Sequence, residues 1–209
     1  MLIPLDQLVS YFNLNIKGIL HIGAHECEEL DTYLSLNVLN ENIYWIEAMQ
    51  NKVDMMKEKI SDINIYQALI DINDNELINF NIADNGQSSS ILDFGTHSKH
   101  HPHVKMIKKK QLLTTRLDTL IEKNNIPIKN INFLNLDIQG KELDALKSME
   151  KYLDNIHYIY TEVNTENVYK DCGLLSEIDD FLKKHKFIRV ACKMWGNCGW
   201  GDAFYIKTF

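Results

Sequence analysis

A glycine turn and an acidic residue near the start of this 209-residue chain are its first candidates for ligand binding. Gly23 follows the apolar residues 18–22, and with the small residue Ala24 after it the backbone can approach a ligand closely. Glu47 ends the next apolar run, roughly twenty residues further on. A carboxylate there can accept hydrogen bonds from both hydroxyls of a ribose, with a solvated loop glutamate as the alternative. The joint spacing predicts a site for an adenosine-containing ligand.

Short apolar runs rich in β-branched residues alternate with helical patterns, which is typical of parallel β-α-β units. Seven runs are predicted strands: residues 18–22, 43–46, 64–68, 132–136, 158–161, 187–191 and 203–206. The connection between the last two is too short for a helical crossover, so we expect an antiparallel pair. The pattern therefore predicts an α/β fold with an open, doubly wound sheet of seven strands. The sheet is mostly parallel with one antiparallel strand near the C-terminus, and helices cover both faces.

A single domain is predicted over residues 1–209, because the length suits one sizeable core and no linker interrupts the pattern. Residues 1–17 are predicted to form an N-terminal cap, and residues 77–111 a hairpin and lid-like insertion. Within the insertion, a strand is expected at residues 77–82 and a polar segment at residues 83–111. The first helix after the glycine turn is predicted to bury Leu30, Tyr33, Leu34 and Val38.

The fold class indicates where a ligand should bind. Ligands of open α/β sheets lie outside the carboxyl ends of the strands, at the switch in strand order. The candidate residues at those ends are His21, Gly23, Ala24, His25, Glu26, Glu29, Glu47, Ala48, Ala68, Leu69, Asp137 and Glu162. Residues 24–28 contain no glycine, so the G-x-G-x-x-G motif of a nicotinamide oxidoreductase is incomplete, and that enzyme class is disfavoured.

Three segments carry motifs that resemble one known family. They are residues 21–25 (HIGAH), 115–120 (TRLDTL) and 133–142 (FLNLDIQGKE). The motifs and their order resemble the FkbM family of S-adenosylmethionine-dependent methyltransferases, and the similarity extends from about residue 18 to residue 207. His21, Cys27 and Gln139 stand where that family usually has an acid, a glycine and a glutamate.

The resemblance implies a Rossmann-like methyltransferase sheet that uses S-adenosylmethionine as its cofactor. It also implies O-methylation, by in-line displacement, of a hydroxyl of a sugar, glycan or related small metabolite. On this basis Asp137 should lie beside the methionyl part of the cofactor, and Glu162 is the first candidate for acceptor binding or for the general base. Either carboxylate can instead cap a helix or pair with Lys141 or Lys193.

Polar and aromatic residues away from the strand ends add further candidates. Ser89 and Ser90 resemble a serine-rich family stretch near the cofactor, with a polar turn as the alternative. Four histidines follow, at His97, His100, His101 and His103. They suit a substrate-binding lid or a solvated loop better than a metal site, because no Cys or carboxylate has the local spacing of a metal ligand. We therefore predict no bound metal. Trp200 is expected to be buried beside the last strand.

Composition narrows the range of partners. The net charge is −7 and the pI is near 5.6, which disfavours binding to phosphate backbones. No apolar run is long enough to span a membrane, and the start of the chain has no features of a secretion signal. The four scattered cysteines favour reduced thiols, so a cytoplasmic location is expected. A small-molecule or saccharide acceptor is the expected partner, and a homodimer stays open.

Two alternatives share the predicted fold. A nucleic-acid methyltransferase that modifies amino groups commonly has an Asp/Asn-Pro-Pro-aromatic loop, but the only prolines are the isolated Pro4, Pro102 and Pro127. A catalytically inactive S-adenosylmethionine-binding protein is the other alternative, because the departures from the family motifs cluster around the predicted cofactor turn.

Overall fold

The computed structural model describes residues 1–208. The strands are β1 (Ile19–Ile22), β2 (Ile43–Glu47), β3 (Asn64–Gln67), β4 (Leu69–Ile70), β5 (Leu77–Ala83), β6 (Met106–Thr115), β7 (Phe133–Leu136), β8 (Tyr158–Asn164), β9 (Phe187–Met194) and β10 (Trp200–Lys207). The helices are α1 (Leu5–Phe12), α2 (Leu30–Ser35), α3 (Gln50–Lys59), α4 (His97–His100), α5 (Leu117–Lys123), α6 (Glu142–Ser148) and α7 (Leu175–Lys184). No helix within the described range is long and apolar enough to cross a membrane.

The main sheet has seven strands in the order β3-β2-β1-β7-β8-β10-β9. All neighbours are parallel except β10, which pairs antiparallel with both β8 and β9. Ile22 at the end of β1 lies opposite Ile46 in β2 and Leu136 in β7, so these three strands end at the same edge. The predicted fold class is confirmed, including the single antiparallel strand near the C-terminus.

Side chains alternate between two apolar layers, because successive residues of a strand face opposite sides of the sheet. In β1, Leu20 and Ile22 pack in one layer and Ile19 packs in the other. The first layer receives apolar side chains of α5, α6 and α7, and the second receives those of α1, α2 and α3. Both faces of β1 and β7 are therefore covered, which explains why every residue of these strands is buried.

A second, three-stranded sheet with the order β4-β6-β5 lies after β3. β5 and β6 form an antiparallel hairpin in which Leu77 pairs with Leu113. Residues 106–111 of the predicted polar segment are mostly exposed, and they also form the first part of β6, a strand that was not predicted. The lysine-rich sequence of β6 does not show the apolar alternation of a half-buried strand, because most of its residues are exposed while their backbone pairs with β5.

The predicted buried face of α2, the helix after the glycine turn, is partly wrong. Tyr33 is fully buried, but Leu34 is 42% exposed and α2 ends at Ser35. Asn37 has a left-handed backbone (φ 63°), so the chain turns before Val38. Val38 is buried in the same apolar layer as Tyr33, but from outside the helix.

Candidate functional site

Two adjoining cavities lie at the carboxyl edge of the main sheet. The narrow cavity, about 560 Å³ of empty space that includes its opening to solvent, is lined by residues at and after the ends of β1, β2, β3 and β7, by β4, and by β5 with part of the loop after it. The wide cavity, about 1380 Å³ measured in the same way, extends toward β8, β10 and the segment around α4. The residues that line both cavities are Gly23, His25, Gln87, Asp137 and Gln139. Two ligands, one in each cavity, would therefore lie on either side of these five shared residues.

The Glu47 carboxylate forms part of the narrow cavity and also holds its backbone in place. Its Oε2 accepts a hydrogen bond from the His25 backbone N–H and its Oε1 accepts one from the Met49 N–H, each at 2.8 Å. The residue is only 6% exposed, and burial raises the pKa of its carboxyl group. A carboxylate has about four acceptor positions, so Glu47 retains capacity for ligand hydroxyls. Much of the remaining wall is apolar, with Leu69, Phe80 and Ile91 among its side chains.

Gly23 joins the turn after β1 to the turn after β7. Its backbone has φ +91°, and a Cβ added there would lie 1.8 Å from the carbonyl oxygen of Asp137. The backbone N–H groups of Gly23 and Ala24 both donate to the Ile46 carbonyl at 2.9 Å. Position 23 therefore requires glycine because the ends of β1 and β7 meet there and leave no space for a side chain. The same lack of a side chain also allows a ligand to approach the backbone closely.

The loop between β7 and α6 is organised by the buried Glu142. Its Oε1 accepts hydrogen bonds from the backbone N–H of Ile138 at 2.9 Å and of Gly140 at 3.1 Å. The side chain is fully buried, and burial raises the pKa of its carboxyl group to about 7. The glutamate that ends the 133–142 motif therefore shapes the loop that carries Asp137, and it does not line either cavity.

Gln139 links the two predicted catalytic carboxylates. Its Nε2 donates to Asp137 Oδ1 and to Glu162 Oε2, both at 2.6 Å. The hydroxyl of Tyr169 donates to Gln139 Oε1. This role of Gln139 could not be predicted from the sequence, because two partners of its side chain, Glu162 and Tyr169, are distant in the chain and only the fold brings them to it.

The pKa of the Glu162 carboxyl is raised well above its ordinary value. Burial is the main cause, since the residue is 6% exposed, and the negative charge of Asp137 adds to it. The alternative ion pairs do not form, because Lys141 binds Asp71 and Asp144 while Lys193 donates to the Leu2 carbonyl. Glu162 therefore faces the wide cavity as a weakly acidic group.

His21 lies behind the turn and lines only the wide cavity. Its Nδ1 is 3.0 Å from the Tyr33 hydroxyl, and its ring lies 4.7 Å from the Trp45 ring. Burial lowers the pKa of His21 to about 4, so the imidazole is neutral near neutral pH. His25 differs, because its Nδ1 lies 2.6 Å from Glu28 Oε1 and its Nε2 has no partner among the described residues.

The structure separates the other predicted cofactor residues into three groups. The narrow cavity is lined by Gly23, His25, Glu47, Ala48, Ala68, Leu69, Ser89 and Asp137. Glu29 and Glu162 line the wide cavity, as His21 does. Ala24, Glu26 and Ser90 line neither cavity: Ala24 is buried, Glu26 pairs with Lys52, and the Ser90 hydroxyl donates to the Gln139 carbonyl at 2.7 Å.

The histidine segment divides between the wide cavity and the surface. His97, His101 and His103 line the cavity, whereas His100 Nε2 lies 3.0 Å from Glu166 Oε1. His97 is 5% exposed and stacks on Phe94 with 4.0 Å between ring centroids. Within residues 1–208, no group of three His, Cys, Asp or Glu residues is placed to hold a metal ion.

β10 adds two residues to the wide cavity that were not predicted to line it. Trp200 is only partly buried, and its Nε1 donates to His101 Nε2 at 3.3 Å. Asp202 pairs in register with Glu162 of β8, which brings two carboxylates to the same place. β10 lies between β8 and β9 in the sheet, next to the strand that carries Glu162. This strand order is the feature from which the proximity of Asp202 to Glu162 could have been predicted.

Comparisons with known proteins agree with this architecture. Residues 21–189 match the model of the methyltransferase FkbM domain. A solved FkbM methyltransferase from Methylobacillus flagellatus KT is 12% identical with a TM-score of 0.57, and the match covers 91% of this chain. This chain spans only 43% of that protein. No curated protein matches the sequence significantly.

Two further solved structures share the fold at low identity. A putative tRNA (m1A22) methyltransferase from Streptococcus pneumoniae is 11% identical with a TM-score of 0.50, and the match covers 99% of this chain and 71% of that one. Magnesium protoporphyrin IX methyltransferase from Synechocystis PCC 6803, solved with bound S-adenosylhomocysteine, is 8% identical with a TM-score of 0.50. That match covers 97% of this chain and 79% of the other.

Proposed function

This chain belongs to the FkbM methyltransferase family, and we propose that it transfers a methyl group from S-adenosylmethionine to a hydroxyl of a sugar, glycan or related small metabolite. The main support is the convergence of Gly23, Glu47 and Asp137 on the narrow cavity. Gly23 and Asp137 directly follow β1 and β7, Glu47 ends β2, and both Gly23 and Asp137 also belong to the wall of the wide cavity. A cofactor in the narrow cavity would therefore face an acceptor in the wide one.

The residues of the narrow cavity fit the parts of S-adenosylmethionine. The free acceptor positions of Glu47 suit the ribose hydroxyls, and the apolar side chains of Leu69, Phe80 and Ile91 suit the adenine ring. Asp137 lies at the wall shared with the wide cavity, where its carboxylate suits the amino group of the methionyl part. A pocket that binds adenosine in this way has one carboxylate for the ribose hydroxyls and an apolar slot for the adenine ring.

Methyl transfer to oxygen needs an aligned acceptor and a place for its proton. When bound, S-adenosylmethionine supplies a methyl group on a cationic sulfur, so the acceptor oxygen bonds to that carbon while the electrons of the broken carbon–sulfur bond go to sulfur. The protein orients the acceptor and excludes water from it. Glu162, held by Gln139 beside Asp137, is our candidate for the group that receives the hydroxyl proton. Its raised pKa makes the deprotonated form a good base.

Mass spectrometry of acceptor mixtures tests this function. The protein is incubated with S-adenosylmethionine and pooled saccharides, and products heavier by one methyl substitution are fragmented to locate the new group. We expect a methyl group on oxygen. A product formed only on RNA would support the nucleic-acid methyltransferase. Binding of S-adenosylmethionine without product on any acceptor class would support the inactive binding protein.

We also propose the setting in which this reaction takes place. A cytoplasmic location is supported by four cysteines, all of which are free thiols. The expected partners are the cofactor and a small acceptor, without nucleic acid or membrane, and the acidic net charge supports this choice. A homodimer is compatible with the proposal and is not needed for it, because residues of one chain line both cavities.

A further inference from the structure

The wide cavity is acidic. Its wall contains the carboxyl groups of Glu28, Glu29, Asp137, Glu162 and Asp202, and no Lys or Arg among the described residues lines it. The amino group of Met1 also lines this wall: it lies 3.9 Å from Glu29 Oε1, and its charge acts on Asp202 as well, whose Oδ2 accepts a hydrogen bond from the Leu2 backbone N–H. A phosphate group would therefore meet several negative charges and no basic side chain.

Within residues 1–208, the carboxylates of Glu162, Asp137 and Asp202 have uncharged hydrogen-bond partners. Glu162 and Asp137 share the Gln139 amide, and Asp202 accepts hydrogen bonds from the Tyr160 hydroxyl and a backbone N–H. Asp202 and Glu162 lie directly opposite each other in adjacent strands, so ionising both carboxyl groups is unfavourable without a cation, and their pKa values are raised by burial and by the neighbouring negative charges. A cation placed between them would offset this repulsion, and burial strengthens the effect.

Two histidines of the wall, His97 and His101, do not provide that cation near neutral pH. Burial lowers the pKa of His97 to about 4, and burial also lowers the pKa of His101. His97 lines the cavity and is 5% exposed, and its buried Nδ1 has no hydrogen-bond partner among the described residues. The partly buried Trp200 adds a flat apolar surface to the same wall. These neutral groups suit a hydroxylated ring.

We propose that the wide cavity binds a hydroxylated acceptor that carries a protonated amine, an amino sugar or an amino alcohol, and that it excludes phosphorylated acceptors. This inference rests on the proposed function, because it takes the wide cavity as the acceptor side of a methyltransferase. Bound S-adenosylmethionine would place its positive charges next to Asp137, which would leave Glu162 and Asp202 for the amine of the acceptor.

Binding of matched sugars tests the proposal directly. The full chain is saturated with S-adenosylhomocysteine and titrated by calorimetry, near neutral pH, with glucose, glucosamine and glucose 6-phosphate, and with the galactose and mannose counterparts. In at least one set we expect the amino sugar to bind about tenfold more tightly than the neutral sugar, which corresponds to about 1.4 kcal/mol, and the phosphate to bind most weakly. Equal affinities, a preference for the phosphate, or no binding by any sugar would overturn the proposal.

Charge-neutral variants identify the residues responsible. Glu162→Gln and Asp202→Asn each keep an acceptor oxygen and should reduce the preference for the amine about fivefold or more, without loss of S-adenosylhomocysteine binding. Glu58→Gln on the exposed side of α3 is the matched control: Glu58 lines neither cavity, so the preference for the amine should stay unchanged. An unchanged preference in both test variants would overturn the assignment. If S-adenosylhomocysteine does not bind the wild type, the proposed function fails; if it binds and no amine preference appears, only this inference fails.

Discussion

Glu47 has two roles at the residue scale, and a pair of variants separates them. It accepts hydrogen bonds from two backbone N–H groups and lines the narrow cavity. Glu47→Gln retains one acceptor oxygen, whereas Glu47→Ala leaves both N–H groups without a partner. We expect Glu47→Gln to weaken S-adenosylhomocysteine binding by about 1–3 kcal/mol, because the ribose hydroxyls lose a charged acceptor. Glu47→Ala should weaken binding further and also lower the free energy of unfolding.

Calorimetric titration and urea unfolding measure the two effects separately. Glu58→Gln on the exposed side of α3 is the control, and it should change neither quantity. Affinity that stays at the wild-type value in Glu47→Gln would mean that this carboxylate does not contact the ligand.

The neutral, buried His21 makes stability depend on pH. Its pKa is about 4 in the folded chain and 6.5 in the unfolded chain, so between these values the unfolded state binds more protons. The contribution of neutral His21 to the free energy of unfolding is therefore fully present above pH 6.5, and it is lost as the pH falls toward 4. The expected loss from this residue is about 3 kcal/mol, obtained from the pKa difference.

Urea unfolding across this pH range, compared between the wild type and His21→Asn, isolates the contribution of His21. Asn does not titrate there, so the variant should lose less stability on acidification even if it starts from a lower value. Parallel curves for the two proteins would show that His21 is not held neutral by burial.

At the scale of elements, the loop between β7 and α6 depends on the buried carboxylate of Glu142. Glu142 Oε1 binds the N–H groups of Ile138 and Gly140. Glu142→Ala should lower the free energy of unfolding by at least about 1–3 kcal/mol, the cost of one buried N–H group left without a partner. Glu142→Gln retains an amide oxygen for both N–H groups and should lose much less. Thermal and urea unfolding of the two variants test this difference, and equal losses would argue against the hydrogen-bonding role.

The strands that carry the site were predictable where both faces of the sheet are covered. The apolar runs of β1 and β7 gave their positions, and the rule on strand carboxyl ends then selected Gly23, Glu47 and Asp137. β6 was missed in part because its exposed lysines lack strand-like alternation. The role of Gln139 was also missed, because it depends on a left-handed turn (φ 58°) and on partners distant in sequence.

At the scale of the whole molecule, the negative charge of the protein favours small acceptors over nucleic acids. The chain has a net charge of −7, and the wide cavity has acidic walls. Proteins that bind RNA nonspecifically neutralise phosphates with Lys and Arg, and typical dissociation constants are about 10⁻⁴ to 10⁻⁶ M at physiological salt. We expect no saturable binding of transfer RNA in this range, measured by fluorescence anisotropy. Micromolar binding that weakens steeply with salt would favour the nucleic-acid alternative.

The central claim is that residues from three strand ends surround a single adenosine-containing ligand. A crystal structure of the protein with S-adenosylhomocysteine tests this claim most directly. We predict that the ribose hydroxyls lie within hydrogen-bonding distance of Glu47, the adenine lies between the apolar walls of the narrow cavity, and the amino group lies at Asp137. A ligand bound at any other place, or Glu47 and Asp137 on the walls of separate ligand pockets, would contradict it.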